Sequence, residues 1–173
     1  MQRKPISDDY PPEKWMTLSD AKKKIMDYVA NRDHSEKELR QKLNTFCEAD
    51  LIDLALIWAK EQNWLATPDA LKDKYADQLH SRGKGILSIN QKLIEKGLPT
   101  VKSDFETEIA KACKLVFAKW SANDFNGLDL KETQKLKQKI MRFLISRGFE
   151  TEVIEQILKN ELNAKGLSYD EEF

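Results

Sequence analysis

The sequence predicts an all-α protein built of tandem three-helix units. Three observations carry that prediction. Apolar residues recur at intervals of three and four through most of the chain, the spacing of one helix face. No stretch alternates with the period of a strand over any useful length. And one thirteen-residue phrase is written three times: NRDHSEKELRQKL from Asn31, SRGKGILSINQKL from Ser81 and SRGFETEVIEQIL from Ser146. The copies share Arg at the second position (Arg32, Arg82, Arg147), Leu or Ile at the ninth (Leu39, Ile89, Ile154), Gln at the eleventh (Gln41, Gln91, Gln156) and Leu at the last (Leu43, Leu93, Leu158).

Element by element, the chain opens with a flexible arm over 1–17, proline-rich and of mixed charge. Ser19 is placed to cap a first helix, with Ala21, Ile25, Tyr28 and Val29 on one face. Ser35 and Glu38 form a capping box for a short second helix that buries Leu39 and Leu43. A third, from about Leu51 to Glu61, is apolar on nearly every side and is expected to lie between neighbours. The pattern restarts at Thr67, followed by proline in the first turn, with the stripe Leu71, Tyr75 and Leu79. A short helix from Ile86 to Lys96 ends at Gly97 and Pro99, and Ser103 with Glu106 marks another capping box. That box opens a helix whose inner face includes Ile109, Cys113, Val116 and Phe117. After SANDFNG, Asp129 and Glu132 cap a long helix carrying Leu136, Ile140, Phe143 and Leu144 inward. The phrase is therefore a joint: the end of one helix, a corner, and a short helix that docks back through its aliphatic pair. Gly83 and Gly148 suit a left-handed terminator, and Asp33 is the expected substitute in the first copy. The units so read span 18–66, 67–122 and 127–165, the last truncated, before an acidic tail over 166–173.

Composition bounds the function. The 173 residues carry 29 Lys+Arg against 29 Asp+Glu, so the net charge is zero, unlike a protein held to DNA mainly by counterion release. No apolar run approaches a membrane span, and the polar start has no signal-peptide core. Cys47 and Cys113 lack paired spacing and read as reduced, buried thiols, which with the other signals predicts a cytoplasmic protein. GKG at Gly83–Gly85 lacks the strand before it and the Lys-Ser/Thr after it that a phosphate loop needs. His34 and His80 read as solvated turn residues, and no nucleophile–base pair or metal-ligand set can be assembled from spacing. A non-enzyme without cofactor or metal is expected.

Charge is unevenly placed despite the neutral total. From Leu79 to Lys102 the bases Arg82, Lys84, Lys92, Lys96 and Lys102 face Glu95 alone, and from Lys131 to Arg147 six bases face Glu132. Lys131, Lys135, Lys139 and Arg142 fall within about 80° of arc on a helical wheel, away from the apolar face. With Arg82, Lys84 and Arg147 at the joints, they form a candidate binding face for an acidic protein surface, or for nucleic acid within an assembly. A solvated helix face would look the same.

RDHSEKELRQKL, the SRGKG…I…KLIEKGL segment and KLKQKIMRFLISRGF…VIEQIL together resemble the RecX family of bacterial recombinase regulators, over roughly Leu18 to Leu162. The most specific part is Arg32-Asp33-His34-Ser35 with Glu38-Leu39-Arg40 and Leu43. The family's second repeat usually opens with paired acids after a Leu; here the sequence is WLATPDALKDKYA, with Asp69 alone at that place. The resemblance implies three tandem three-helix repeats in an elongated, curved body. It implies a modulator that binds the RecA filament on single-stranded DNA and inhibits its growth, ATP turnover, strand exchange and co-protease activity in DNA repair and the SOS response; a monomer with at most weak direct DNA contact is expected. Two other readings stay open: a helical-repeat adaptor for another acidic protein, and a direct DNA binder. Against the latter, the short helices carry Ile, Leu, Glu152 and Glu155 where base-reading residues would be wanted.

Overall fold

The computed structural model describes residues 16–125 and 127–161, and within them the chain is helical with no strand. The acidic tail and the expected arm, save its last two residues, lie outside the described residues. Eight α-helices run α1 Leu18–Asn31, α2 Glu36–Leu43, α3 Ala49–Glu61, α4 Pro68–Ser81, α5 Ile86–Glu95, α6 Phe105–Lys119, α7 Leu130–Arg147 and α8 Thr151–Gln156. A 3₁₀ turn over Ala122–Phe125 precedes α7, and α8 runs on into a π-helical turn over Ile157–Glu161. The chain divides into two compact units, one ending at Leu71 and the other beginning at Lys72.

In the first unit α1, α2 and α3 close around Ala21, Ile25, Leu39, Leu43, Cys47, Ile52, Ala55, Leu56 and Ala59. The cap of α1 is Thr17, two residues before the expected Ser19. Thr17 Oγ1 accepts from the Asp20 N–H and Asp20 returns the bond to the Thr17 N–H, a reciprocal pair that Ser19 cannot make. Ser35 and Glu38 cap α2 as the sequence predicts, at 3.2 and 3.0 Å. α3 is half-open rather than enclosed. Ile52, Ala55, Leu56 and Ala59 are buried, but Leu54 and Ile57 are about half exposed on the other side. It ends on Asn63 at φ 54°, where the Trp64 N–H reaches back to the Ala59 carbonyl, a Schellman closure.

The second unit is centred on Ile109, Ala112 and Val116 of α6, Leu136, Ile140 and Leu144 of α7, and Phe149, Val153, Ile154, Ile157 and Leu158. The enlarged connection before α7 is tied down by Phe125, 2% exposed and edge-on to Phe117 at 6.0 Å. Asp104, not Ser103, caps α6: its carboxylate accepts from the Thr107 N–H at 3.0 Å, while the Ser103 hydroxyl donates to Glu108. Asp129 and Glu132 form the predicted box at the start of α7.

The repeated phrase holds its register in three dimensions. Ser35, Gly85 and Glu150, each its fifth residue, are the N-caps of α2, α5 and α8. All six recurring aliphatics are buried, none more than 9% exposed. The corners themselves differ. Gly83 and Gly148 sit at φ 69° and 81° and end α4 and α7 in Schellman closures, but Asp33 is not left-handed. There the chain leaves α1 through an extended Arg32. Its guanidinium donates to the Asp33 carbonyl at 2.9 Å and pairs with Glu38 at 3.1 Å, so side-chain bonds hold the corner that glycine makes elsewhere.

The second and third copies also lie against each other. The Gly85 N–H donates to the Arg147 carbonyl at 2.9 Å and the Leu87 N–H to the Gly148 carbonyl at 3.0 Å. Only glycine permits that approach. A Cβ on Gly85 would lie 2.5 Å from the Gly148 carbonyl carbon and the Phe149 nitrogen, and one on Gly148 would lie 2.5 Å from the Ser88 nitrogen.

Candidate partner-binding surface

α7 turns Thr133, Leu136, Ile140 and Leu144 into the core. Helical spacing then carries Lys131, Lys135, Lys139 and Arg142 to the opposite side, and all four are exposed. Glu132, the helix's one acid, is held in the cap through its carboxylate. The stripe therefore carries a single sign, and Arg142 Nε donates to the Gln138 carbonyl at 3.3 Å.

The joint residues are placed differently. Arg147 is half-buried: Nη1 donates to the Arg82 carbonyl at 3.0 Å and the guanidinium lies 5.1 Å from the Phe143 ring. Arg82 is exposed and Lys84 half-buried. The recurrence of Arg thus has a structural account at two of its three sites, where the guanidinium satisfies a carbonyl of a corner. Gln91 donates to Glu95, and nothing gives the three glutamines one shared role.

Sequence reading missed one polar cluster. Glu108, 1% exposed, accepts from the Ile86 N–H at 3.1 Å and the Ser103 hydroxyl at 3.0 Å, and pairs with Lys111. Lys111 also donates to His80 Nδ1 at 2.9 Å. Because Gly85 has no side chain to cap α5, a carboxylate from α6 does so. The available signal was a carboxylate on the flank of the stripe Ile109, Ala112 and Val116, where an acid needs a partner.

Neither histidine is a solvated turn residue. His34 is 5% exposed, its Nδ1 at 2.9 Å from the Arg32 carbonyl and its ring 5.8 Å from that of Tyr28. His80 is half-buried against Lys111. Burial lowers the pKa of His34; burial and then the Lys111 charge lower that of His80. Below the ordinary value of 6.5 the unfolded chain therefore binds protons that the folded one refuses. The stability this contributes is complete above that value and lost as pH falls past it. Melting temperature should thus decline from about pH 7 to about pH 5.5, and His80→Gln should flatten part of the decline. A level profile in the parent would refute the assignment.

Cys47 is buried and Cys113 half-buried. Among the described residues no three of His, Cys, Asp and Glu are grouped to hold a metal ion, and no helix is long and apolar enough to cross a membrane.

Comparison with known proteins bears on this surface. A family model described as RecX, third three-helix domain, matches residues 106–158, running through α6, α7 and α8. Regulatory protein RecX of Haemophilus influenzae (strain PittGG) is 28% identical over 134 residues, 74% of this chain and 86% of its own. That of Cronobacter sakazakii (strain ATCC BAA-894) is 30% identical over 149 residues, 79% of this chain and 89% of its own. The crystal structure of RecX from Lactobacillus salivarius shares the helical fold, with a TM-score of 0.68 at 17% identity, covering 85% of this chain and 97% of that one. A second RecX crystal structure matches with a TM-score of 0.63 at 19% identity, covering 81% and 72%. With the similarity extending over most of both chains and the basic helix inside the matched domain, the chain belongs to the RecX family of regulatory proteins.

Proposed function

We propose that this protein binds the RecA filament on single-stranded DNA and restrains its growth, ATP turnover, strand exchange and co-protease activity. The observation that carries this reading is the single-sign stripe Lys131, Lys135, Lys139 and Arg142, exposed on α7 opposite the core. Membership of a regulatory family supports it, as does a neutral chain whose positive charge is concentrated on chosen faces. Arg82, Lys84 and Arg147 extend the contact at the joints. In this reading a monomer of three tandem units, 18–66, 67–122 and 127–165, offers successive weak contacts to successive filament subunits, and so gains avidity without one strong site. Its work lies in the cytoplasm, in homologous recombination, DNA repair and the SOS response.

RecA ATPase on single-stranded DNA, with this protein titrated in, tests the reading. The parent should inhibit. The triple variant Lys135→Glu/Lys139→Glu/Arg142→Glu should keep helical content and melting, because exposed positions away from caps and cores usually cost no more than about 0.5 kcal/mol. Its inhibition should be much weaker, most visibly at low salt, where screening is least. A triple variant that regulates like the parent at low salt would place the binding surface elsewhere. A parent without effect on RecA would end the reading.

A further inference from the structure

Beside the basic stripe, α7 exposes a second one. Leu130, Met141 and Ile145 are 62, 40 and 58% exposed, and the exposed Gln134 and Gln138 lie between them. These five positions fall within about 80° of arc, adjoining the edge marked by Lys131. The outer face of α7 is thus two parallel strips, one cationic and one uncharged with three large aliphatics. The buried residues of the helix face the other way, so the aliphatic strip is no part of the core. On a chain with 34% charged residues, such a strip over almost the whole length of one helix is unusual for a merely solvated surface.

The chemistry of the two strips decides the class of partner. A phosphate backbone is gripped by cations and hydrogen-bond donors, and gains nothing from exposed Leu, Met and Ile. A protein surface with aliphatic side chains bordered by carboxylates satisfies both strips together. From Leu130 to Ile145 the strip rises about 22 Å, the length of some four helical turns.

We propose that the outer face of α7 docks an acidic amphipathic helix of a protein partner. Its apolar side covers Leu130, Met141 and Ile145, and its carboxylates meet Lys131, Lys135, Lys139 and Arg142. Charge complementarity selects the occupant, since the face carries cations and no available acid. The aliphatics supply the salt-insensitive part of the affinity and the cations the steering. The inference rests on the preceding reading in taking RecA as the protein that carries the helix. α3 of this chain, exposing Leu54 and Ile57 beside Asp50 and Glu61, offers similar chemistry, so a second copy is the competitor to test.

The test uses the full chain, its Met141→Ser/Ile145→Ser variant, and Leu130→Ser as an independent second variant. Each is checked for melting and sedimentation, then titrated with RecA free of DNA and with a single-stranded oligonucleotide alone, at low and moderate salt. Loss of the Met141 and Ile145 anchors should weaken RecA binding about ten- to thirtyfold at both salt concentrations and leave oligonucleotide binding unchanged. Leu130→Ser should weaken it in the same direction, by less. Variants that bind RecA like the parent would overturn the proposal while leaving the RecA reading standing. Weakened oligonucleotide binding would make this a DNA face, and a parent dimer that the double variant dissolves would make it a self-association face. A parent that binds RecA in no form removes the preceding reading and this inference with it.

Discussion

Replacing Gly85 with alanine should destabilise the second unit by about 3–5 kcal/mol, far more than an ordinary glycine substitution. The new methyl would meet backbone, 2.5 Å from the Gly148 carbonyl carbon and the Phe149 nitrogen. Backbone here has little room to give. The Gly85 N–H is bonded to Arg147, the Leu87 N–H to Gly148, and Gly148 closes the end of α7 at φ 81°. Moving the two segments of this joint apart would break those bonds. Gly148→Ala should cost a similar amount, from a left-handed φ together with a Cβ 2.5 Å from the Ser88 nitrogen. Gly127→Ala is the control. It too has a positive φ, 69°, but nothing lies within 4 Å, so only the backbone penalty of about 1–2 kcal/mol remains. Urea unfolding followed by circular dichroism would order the three variants. If Gly85→Ala unfolds with the parent, the second and third joints are not in contact in solution.

Loss of the Glu108 carboxylate should be nearly as severe. Glu108→Ala strips the acceptor from the Ile86 N–H and the Ser103 hydroxyl, and leaves the Lys111 ammonium, whose side chain is 16% exposed, without its counter-charge. Removing one partner of a buried pair costs about 3–5 kcal/mol, mostly the penalty of the charge left behind. Glu108→Ala/Lys111→Met should therefore be more stable than Glu108→Ala alone. Glu108→Gln should lie between, keeping an oxygen for the Ile86 N–H while losing the charge. A double-mutant cycle measured by denaturant unfolding reads the coupling directly. If the double variant is no more stable than Glu108→Ala, the ammonium is not what makes the single change costly.

Sequence and structure agree where a relation spans one or two helical turns. The Ser35–Glu38 and Asp129–Glu132 boxes form because cap and acid are three residues apart on one turn. Leu39, Ile89 and Ile154, with Leu43, Leu93 and Leu158, are buried because spacing by four keeps each pair on one helix face. The same rule placed Lys131, Lys135, Lys139 and Arg142 together on an exposed side. The cap of α6 lies one residue beyond the expected Ser103: the Asp104 carboxylate accepts from the Thr107 N–H, and the Ser103 hydroxyl donates to Glu108.

Helix type, the register of the repeated joint, the buried aliphatics and the composition of the cationic stripe were thus determined by the sequence alone, since each depends on neighbours within a few residues. Other features were decided by tertiary structure. The backbone contact of Gly85 with Gly148 joins residues far apart in the chain, and a glycine read singly reveals only that a turn is allowed. The cap that Glu108 provides to α5 comes from another helix. The burial of His34 depends on which rings close over it, not on its place beside a cap. The physical reason is common to all three: hydrogen-bond satisfaction and close packing are properties of groups brought together in space, and a helical period records only which side of its own helix a residue occupies.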